Sequence, residues 1–140
     1  MSELISICIP AWQRRKYLER LLQSIAIQSY KEFEIILTDD SSNNEVEDLV
    51  RSFAQLPIQY FRNDHNLGTP ENWNEAIRKA SGPWIKIMHD DDWFANSESL
   101  AQFVGALRTN PEAWFFFSAY NNVYEQERER MEAIMLKKTY

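Results

Sequence analysis

The stretch IKIMHDDDWF, residues 85–94, runs from an apolar segment directly into three consecutive carboxylates, Asp90, Asp91 and Asp92. Adjacent ionised aspartates repel one another, so such a triplet at the end of a buried strand is most easily maintained when a cation lies among them. A hard divalent ion with oxygen ligands is the usual cation. Aspartates also favour turns and helix N-termini, so the triplet alone is equally compatible with a loop that begins a helix.

A second acidic pair favours the functional interpretation. Asp39 and Asp40 follow the apolar run FEIILT, residues 33–38, just as the triplet follows residues 84–88. Apolar runs of this length, bounded by polar turns, are typical of buried strands. The sequence therefore predicts two acidic turns, each placed at the end of a strand.

Predicted strands alternate with predicted helices along most of the chain. The helices are indicated by apolar residues at i, i+3, i+4 and i+7, as in Leu18, Leu21, Leu22 and Ile25. Strands are predicted over residues 4–10, 33–38, 58–61, 84–88 and 113–118, the last as a fully buried strand. This alternation predicts an α/β fold, a parallel-type sheet with helices on both faces.

Ligands of parallel α/β sheets bind beyond the carboxyl ends of the strands. Residues 10–12 (Pro10, Ala11 and Trp12), the pair Asp39 and Asp40, and residues 89–92 all follow predicted strands. We therefore expect them to gather along one edge of the sheet, although they are far apart in sequence.

Other aromatic and basic residues are expected to have structural roles. Core packing is favoured for the remaining tryptophans, which lie in helical stripes or apolar runs: Trp73, Trp84, Trp93 and Trp114. Arg14, Arg15 and Lys16 begin the first helix, where a solvated helix face is favoured over contact with a diphosphate.

Composition narrows the class of protein. The chain has 140 residues, 44% of them hydrophobic, and a net charge of −6, which argues against a nucleic-acid-binding surface. The single cysteine, Cys8, has no internal disulfide partner and fits a buried strand. No apolar run approaches the roughly 20 residues of a transmembrane segment. We expect a cytoplasmic location, with peripheral attachment to a membrane left open.

Several stretches together resemble the nucleotide-binding half of family 2 glycosyltransferases with the GT-A fold, a Rossmann-like nucleotide-binding fold. Residues 5–14 look like the opening strand of that family, and residues 29–42 are similar to its second strand and acidic turn. The loop at residues 66–68, Asn74 and residues 80–82 match the segment that leads to the DXD metal motif. The resemblance covers roughly residues 4–120. The predicted organisation is a partial glycosyltransferase domain at residues 1–120 and a charged C-terminal segment at 121–140, predicted to be helical.

The resemblance implies a role for each matched position. Pro10, Ala11 and Trp12 would contact the nucleotide, with Trp12 stacked on the base. Asp40, or less favourably Asp39, would accept a hydrogen bond from the base. Asp90 would approach the ribose or the metal, and Asp91, with Asp92 nearby, would bind Mg²⁺ or Mn²⁺ at the donor diphosphate. The implied reaction is inverting transfer of a sugar from a nucleotide-diphosphate sugar, a UDP-sugar by preference, to a glycan, lipid or other hydroxyl acceptor.

The sequence departs from the family pattern in two respects. His89 stands where the first aspartate of Asp-x-Asp-Asp is expected. Either Asp90 assumes that role or His89 offers a ring nitrogen to a phosphate or the metal, and Asp90 is favoured because histidine is a softer ligand than Mg²⁺ prefers. Local packing is the favoured role of His89 itself. The family's general base lies in a second half that would follow Tyr140, so the catalytic base is unknown. The chain would then be a truncated glycosyltransferase. The alternative is a non-catalytic nucleotide-binding module, or a fragment that lacks the acceptor half.

A response-regulator receiver also gathers aspartates and Mg²⁺ at strand ends. It would place its acidic pair after the first strand, where this chain has residues 10–12, Pro-Ala-Trp. We therefore discount a receiver domain.

Overall fold

The computed structural model describes residues 3–124, in which four parallel strands alternate with four helices. The strands are β1 (Ile5–Ala11), β2 (Phe33–Asp39), β3 (Ile58–Arg62) and β4 (Trp84–Ile87). The helices are α1 (Arg15–Ala26), α2 (Glu45–Ser52), α3 (Glu71–Lys79) and α4 (Ser99–Thr109). The strand order is β3-β2-β1-β4, and every pairing is parallel. This architecture confirms the predicted α/β fold.

The centre of the sheet is covered on both faces. All seven positions of β1 and all seven of β2 are buried, although successive side chains of a strand point to opposite faces. On one face Cys8 and Ile36 pack with Ala76 of α3. The apolar stripe predicted for α1 is fully buried. Two covered faces therefore explain why these strands read as continuous apolar runs rather than as alternating patterns.

Proline is tolerated in the central strand β1 because β4 ends early. The last pair between β1 and β4 is Cys8 with Ile87, and the Met88 amide donates to the Cys8 carbonyl at 3.0 Å. Pro10, two residues later, faces the same side as Cys8, beyond the end of β4. The missing N–H of Pro10 therefore leaves no strand pairing incomplete, and a gap opens beside it at the carboxyl end of the sheet.

At the amino-terminal end of the strands, the buried carboxylate of Glu34 in β2 links neighbouring strands to the turn before β4. Glu34 Oε1 accepts hydrogen bonds from Ser6 Oγ at 2.6 Å and from the Ser81 amide at 2.7 Å, while Oε2 accepts from Gln59 Nε2 at 2.9 Å. Burial alone would raise the pKa of Glu34, but hydrogen bonds from Ser6, Ser81 and Gly82 hold that pKa below its ordinary value. A side chain at Gly82 would meet the Leu4 carbonyl oxygen at 2.6 Å. Glu34 thus fixes the turn before β4 against β1 and β2.

The chain divides into two compact units, residues 1–104 and 105–140. In the second unit, residues 113–118 form no strand, and Trp114, Phe115 and Phe117 are 92%, 79% and 82% exposed. The prediction of a fully buried strand there is wrong. An apolar run indicates a tendency toward burial, but strand formation also needs a neighbouring backbone with which to pair. The helix predicted for 121–140 lies mostly outside the described residues.

Replacement of Glu34 by Gln tests the buried carboxylate. We expect the free energy of unfolding at pH 7 to fall by about 1–3 kcal/mol, because an amide cannot accept all of these hydrogen bonds. The pKa of Glu34 is lower in the folded protein, so its contribution is complete above the unfolded pKa and is lost as the pH falls through the folded one. The difference between the two proteins should therefore shrink in acid.

Urea unfolding followed by circular dichroism at several pH values measures this difference. Glu32→Gln is the matched control, because Glu32 is exposed and lies two residues earlier. Equal stability of the Glu34→Gln variant and the wild-type protein at pH 7 would contradict the assigned role.

Candidate functional site

A cavity of about 420 Å³ opens at the carboxyl ends of the strands. Its walls come from the end of β1, the turns after β2 and β4, the loop before α3, and the start of α3. The lining residues are Pro10, Ala11, Trp12, Arg14, Asp40, Asn66, Gly68, Thr69, Asn72, Trp73, His89 and Asp90. The cavity thus occupies the edge at which the sequence predicted a ligand.

Asp40 fixes the loop that forms one wall of the cavity. Its Oδ1 accepts hydrogen bonds from Asn63 Nδ2 at 2.6 Å and the Leu67 amide at 3.0 Å, and its Oδ2 accepts from the Gly68 amide at 2.8 Å. Gly68 has a φ of 68°, a left-handed conformation that glycine adopts readily. Oδ2 accepts one of these three hydrogen bonds, and a carboxylate oxygen has two lone pairs, so Asp40 retains acceptor capacity toward the cavity.

Asn72 connects the ends of the two central strands to α3. Its Nδ2 lies 3.2 Å from the Thr38 carbonyl oxygen and 3.4 Å from that of Ala11, and its Oδ1 accepts from Asn63 Nδ2 at 2.8 Å. The side chain is buried, and such a connected polar network resists rearrangement. The cavity walls are therefore preformed by hydrogen bonds to Asp40 and Asn72.

Asp39 serves the fold rather than the cavity wall. It is fully buried, and its carboxylate accepts hydrogen bonds from the Ser41 amide at 2.8 Å and the Tyr60 hydroxyl at 2.7 Å. Burial and the hydrogen bond to Asp39 raise the pKa of Tyr60. Asp39 is not among the lining residues, so of the two candidates for contact with a base, the geometry supports Asp40.

The three aspartates of the triplet have different environments. Asp90 is buried and lines the cavity, whereas Asp91 and Asp92 are exposed and lie outside its lining. Asp92 closes the turn, because its Oδ2 accepts from the His89 amide at 3.1 Å while its own amide donates to the His89 carbonyl at 3.0 Å. Asp90 and Asp91 thereby face the loop between β1 and α1, residues 12–14.

Arg14 lies against both of those carboxylates. Its Nη1 is 3.0 Å from Asp91 Oδ2 and 3.6 Å from Asp90 Oδ1. Burial raises the pKa of Asp90 to about 6, although the amide of Trp12 and the charge of Arg14 act in the opposite direction. Arg14 is half exposed, which agrees with the solvated position expected for it, but its guanidinium also faces the acidic turn, a contact that the sequence did not predict.

Two tryptophans offer aromatic surface to the cavity. Trp12 is half exposed, in agreement with its predicted place at the ligand edge. Trp73 also lines the cavity and meets the His89 ring edge-on, with ring centroids 4.5 Å apart. The sequence favours core packing for Trp73, but the side chain also lines the cavity. His89 makes the local contact expected for it and lines the cavity as well.

The structure brings together most of the predicted site residues. Pro10, Ala11, Trp12, Asp40 and Asp90 line the same cavity. Sequence reasoning did not select Asn72 and Trp73, although both lie in the first turn of α3, beside a strand end. That position was the available signal, because the first turn of a helix that follows a strand lies close to the carboxyl edge of the sheet.

The residues at the acidic turn have the chemistry of a partial metal site. Within residues 3–124, no three His, Cys, Asp or Glu side chains are grouped so that they hold a metal ion by themselves. Asp90 and Asp91 supply hard oxygen donors, and the Arg14 guanidinium already places a positive charge between them. Mg²⁺ is commonly bound by one or two carboxylates together with substrate phosphates, so this donor set fits an ion shared with a phosphate ligand.

Comparison with known proteins gives a consistent result. The sequence model of Glycosyl transferase family 2 matches residues 6–139. The abequosyltransferase RfbV of Salmonella typhimurium is 38% identical over 103 residues, which cover 70% of this chain and 31% of that protein. A GalNAc(5)-diNAcBac-PP-undecaprenol beta-1,3-glucosyltransferase of Campylobacter jejuni is 32% identical over 91 residues, 63% of this chain and 29% of that protein.

The fold is also that of solved GT-A glycosyltransferases. The crystal structure of S. aureus TarS residues 1–349 in complex with UDP-GlcNAc superposes with a TM-score of 0.70 at 25% identity, covering 76% of this chain and 32% of that one. The chain spans about a third of the length of each of these three proteins. In the described part of the chain, no helix has the length and apolar character needed to cross a membrane. From its sequence and its fold, the chain belongs to glycosyl transferase family 2.

Proposed function

We propose that the cavity binds a nucleotide-diphosphate sugar, with a UDP-sugar as the donor, together with Mg²⁺ or Mn²⁺. The observation that carries this proposal is the combination of a half-exposed Trp12, an acceptor on Asp40 and the Asp90–Asp91 turn around one cavity. Trp12 suits the face of a base, Asp40 suits an N–H of that base, and the Asp90–Asp91 turn suits a diphosphate with its cation. The UDP-GlcNAc bound by TarS supports the choice of donor.

Trp12 and Asp40 would recognise the base. An indole face provides stacking for a planar ring, and stacking is tolerant of base identity. The remaining acceptor capacity of Asp40 suits an imide N–H such as that of uracil. Because Asp40 is held by the amides of Leu67 and Gly68, its carboxylate has a fixed direction before the ligand arrives.

Asp90 and Asp91 would hold the divalent ion together with the diphosphate oxygens. When bound, such an ion neutralises the diphosphate and makes the nucleotide a better leaving group. Asp92 is engaged in closing its own turn, so we assign it to shaping the turn and give Asp91 the principal ligand position. A divalent ion in this proposal is supported by the Mn²⁺ named with GDP-Man in the structure of a Pyrobaculum calidifontis mannosyltransferase that shares this fold.

In its complete form the protein would transfer the sugar, with inversion, to a hydroxyl acceptor. The undecaprenol diphosphate in the name of the Campylobacter jejuni relative favours a lipid-linked glycan as acceptor. Such an acceptor would bring a cytoplasmic protein to the membrane surface. We assign no general base to residues 3–124. A non-catalytic nucleotide-binding module is the second candidate, because this chain matches only about a third of each relative.

A transfer assay separates the two candidates. It requires a longer chain that includes the acceptor-binding half, a UDP-sugar and a lipid-linked glycan. Transfer of the sugar would support the enzyme. Binding of the donor with neither sugar transfer nor donor hydrolysis would favour the binding module.

Replacement of Asp91 by Ala tests the metal site. We expect calorimetric titration of the wild-type chain with UDP to show tighter binding in Mn²⁺ than in EDTA, and the variant to lose this difference. Asp91 is exposed, so the variant should keep the stability of the wild-type chain.

Asp64→Ala is the matched control, since Asp64 is an exposed aspartate in the loop after β3 and does not line the cavity. Equal metal dependence in the Asp91 and Asp64 variants would refute the assigned ligand. Failure of the wild-type chain to bind UDP, GDP or dTDP nucleotides with either metal would remove the proposed function altogether.

Replacement of Trp12 by Ala tests recognition of the base. Loss of one stacked base costs about 1–3 kcal/mol, so uridine and UDP should both bind about 5- to 150-fold more weakly, with and without Mn²⁺. Trp12→Phe, which keeps an aromatic face, should retain most of the affinity. If Trp12→Ala weakens UDP only when Mn²⁺ is present, the side chain contacts the metal-diphosphate end instead of the base.

A further inference from the structure

The loop that carries Arg14 has an unusual backbone. Gln13 and Arg14 have φ values of 56° and 52°, a left-handed conformation that residues other than glycine rarely adopt. Each such residue costs of order 1–3 kcal/mol and persists only where its surroundings enforce it. Here the Gln13 amide donates to Ser41 Oγ at 2.6 Å, and α1 begins directly at the Arg14 carbonyl, which accepts from Tyr17 and Leu18.

This backbone directs the Arg14 side chain to the acidic turn. A purely structural tie between α1 and that turn would be a weak device, because the ion pair between Arg14 and Asp91 is exposed on both sides, 49% and 44%. Ion pairs of this kind contribute about 0–1 kcal/mol to stability. The contact with Asp91 therefore stabilises the fold little. The contact with Asp90, at 3.6 Å, is different, because it places the guanidinium beside a carboxylate that is only 11% exposed, at the lining of the cavity where a ligand can reach both groups.

We propose that Arg14 acts as an exchangeable counter-ion: in the free protein its guanidinium occupies the cation position between Asp90 and Asp91, and on donor binding it moves to the diphosphate as the divalent ion takes that position. This inference rests on the proposed function, because it needs a diphosphate at the acidic turn. Arg14 lines the cavity, so its side chain reaches both partners from one backbone position.

The chemistry of the groups supports the exchange. The guanidinium fork matches phosphate oxygens as well as it matches carboxylates, so Arg14 loses little when it changes partner. Asp90 is buried and is therefore destabilised as an anion unless a positive charge lies close to it. A divalent ion supplies that charge more strongly than Arg14, and the diphosphate in turn needs the cation that Arg14 releases.

The exchange has a consequence that a structural role lacks. Arg14 competes with a metal ion that arrives alone, but it attracts a diphosphate that arrives alone. A metal ion alone must displace Arg14, and a diphosphate alone draws Arg14 away and leaves Asp90 and Asp91 uncompensated beside it. Each ligand removes the obstacle to the other, so the two should bind more tightly together than either does alone. Arg14 is accordingly a binding residue for the donor diphosphate and a competitor of the metal ion.

The test is an Arg14→Gln variant, titrated with each ligand separately. Glutamine stands at φ 56° in the neighbouring position, so the backbone tolerates it. In the absence of nucleotide, we expect the variant to bind Mn²⁺ about tenfold more tightly than the wild-type chain does, because a competing cation is gone. Electron paramagnetic resonance of the free Mn²⁺ measures this binding. UDP in EDTA should bind about tenfold more weakly, because a charged hydrogen bond to phosphate is lost.

Two further variants control the result. Arg14→Lys restores a cation and should shift both affinities back toward those of the wild-type chain. Arg15→Gln removes the adjacent arginine, whose side chain contacts the Glu45 carbonyl instead, and should change neither.

Misfolding would weaken both affinities. The exchange would be established if Arg14→Gln, and neither control variant, binds Mn²⁺ more tightly and UDP in EDTA more weakly. Unchanged affinities, or changes in the same direction, would overturn it. Wild-type protein that fails to bind UDP even with Mn²⁺ would instead overturn the proposed function. If wild type binds UDP with Mn²⁺ and Arg14→Gln behaves as Arg15→Gln does, the inference alone fails.

Discussion

Parallel pairing of β1 with β2 on one side and β4 on the other is the constraint on which the site depends. It places the carboxyl ends of the strands at one edge, so that residues 10–14, 39–41 and 89–92 meet despite their distance in sequence. The early end of β4 is equally important, because it leaves the space beside Pro10 from which the cavity opens. Burial of β1 and β2 along their whole length leaves the carboxyl ends of the strands as the place where polar side chains can meet a ligand.

The cavity becomes a rigid site through buried polar groups rather than through further apolar packing. Asp40 holds the loop at Leu67 and Gly68, and Asn72 ties α3 to the strand ends. At the opposite end of the sheet Glu34 fixes the turn that leads into β4, and thereby the register from which the acidic turn emerges. Each carboxylate or amide is satisfied by named donors or acceptors, which is the condition under which buried polar groups make a structure specific rather than unstable.

Most of the sheet could be predicted from the sequence because apolar runs and helical stripes report directly on burial. The predicted contact of Trp12 and the acidic turns with one edge followed from topology alone. Helical spacing could not assign Trp73, since a tryptophan spaced three residues from Ala76 has the same pattern whether it faces the core or a cavity; only its place in the first turn of α3 pointed to the edge of the sheet. The strand prediction for residues 113–118 failed for a related reason. Hydrophobicity indicates a preference for burial, but it does not supply the neighbouring strand with which the backbone would have to pair.

Arg14 shows why sequence patterns miss a group whose position depends on backbone conformation. No propensity favours two consecutive left-handed residues at Gln13 and Arg14, and without that conformation the start of α1 is simply a basic helix face. The geometry also clarifies the acidic triplet. Asp92 stabilises the turn and Asp91 remains accessible, while burial raises the pKa of Asp90 to about 6 and the charge of Arg14 acts against that rise. The ionised form of such a carboxylate is stabilised by a cation beside it, and the proposed exchange of Arg14 for a divalent ion keeps one there before and after a ligand binds.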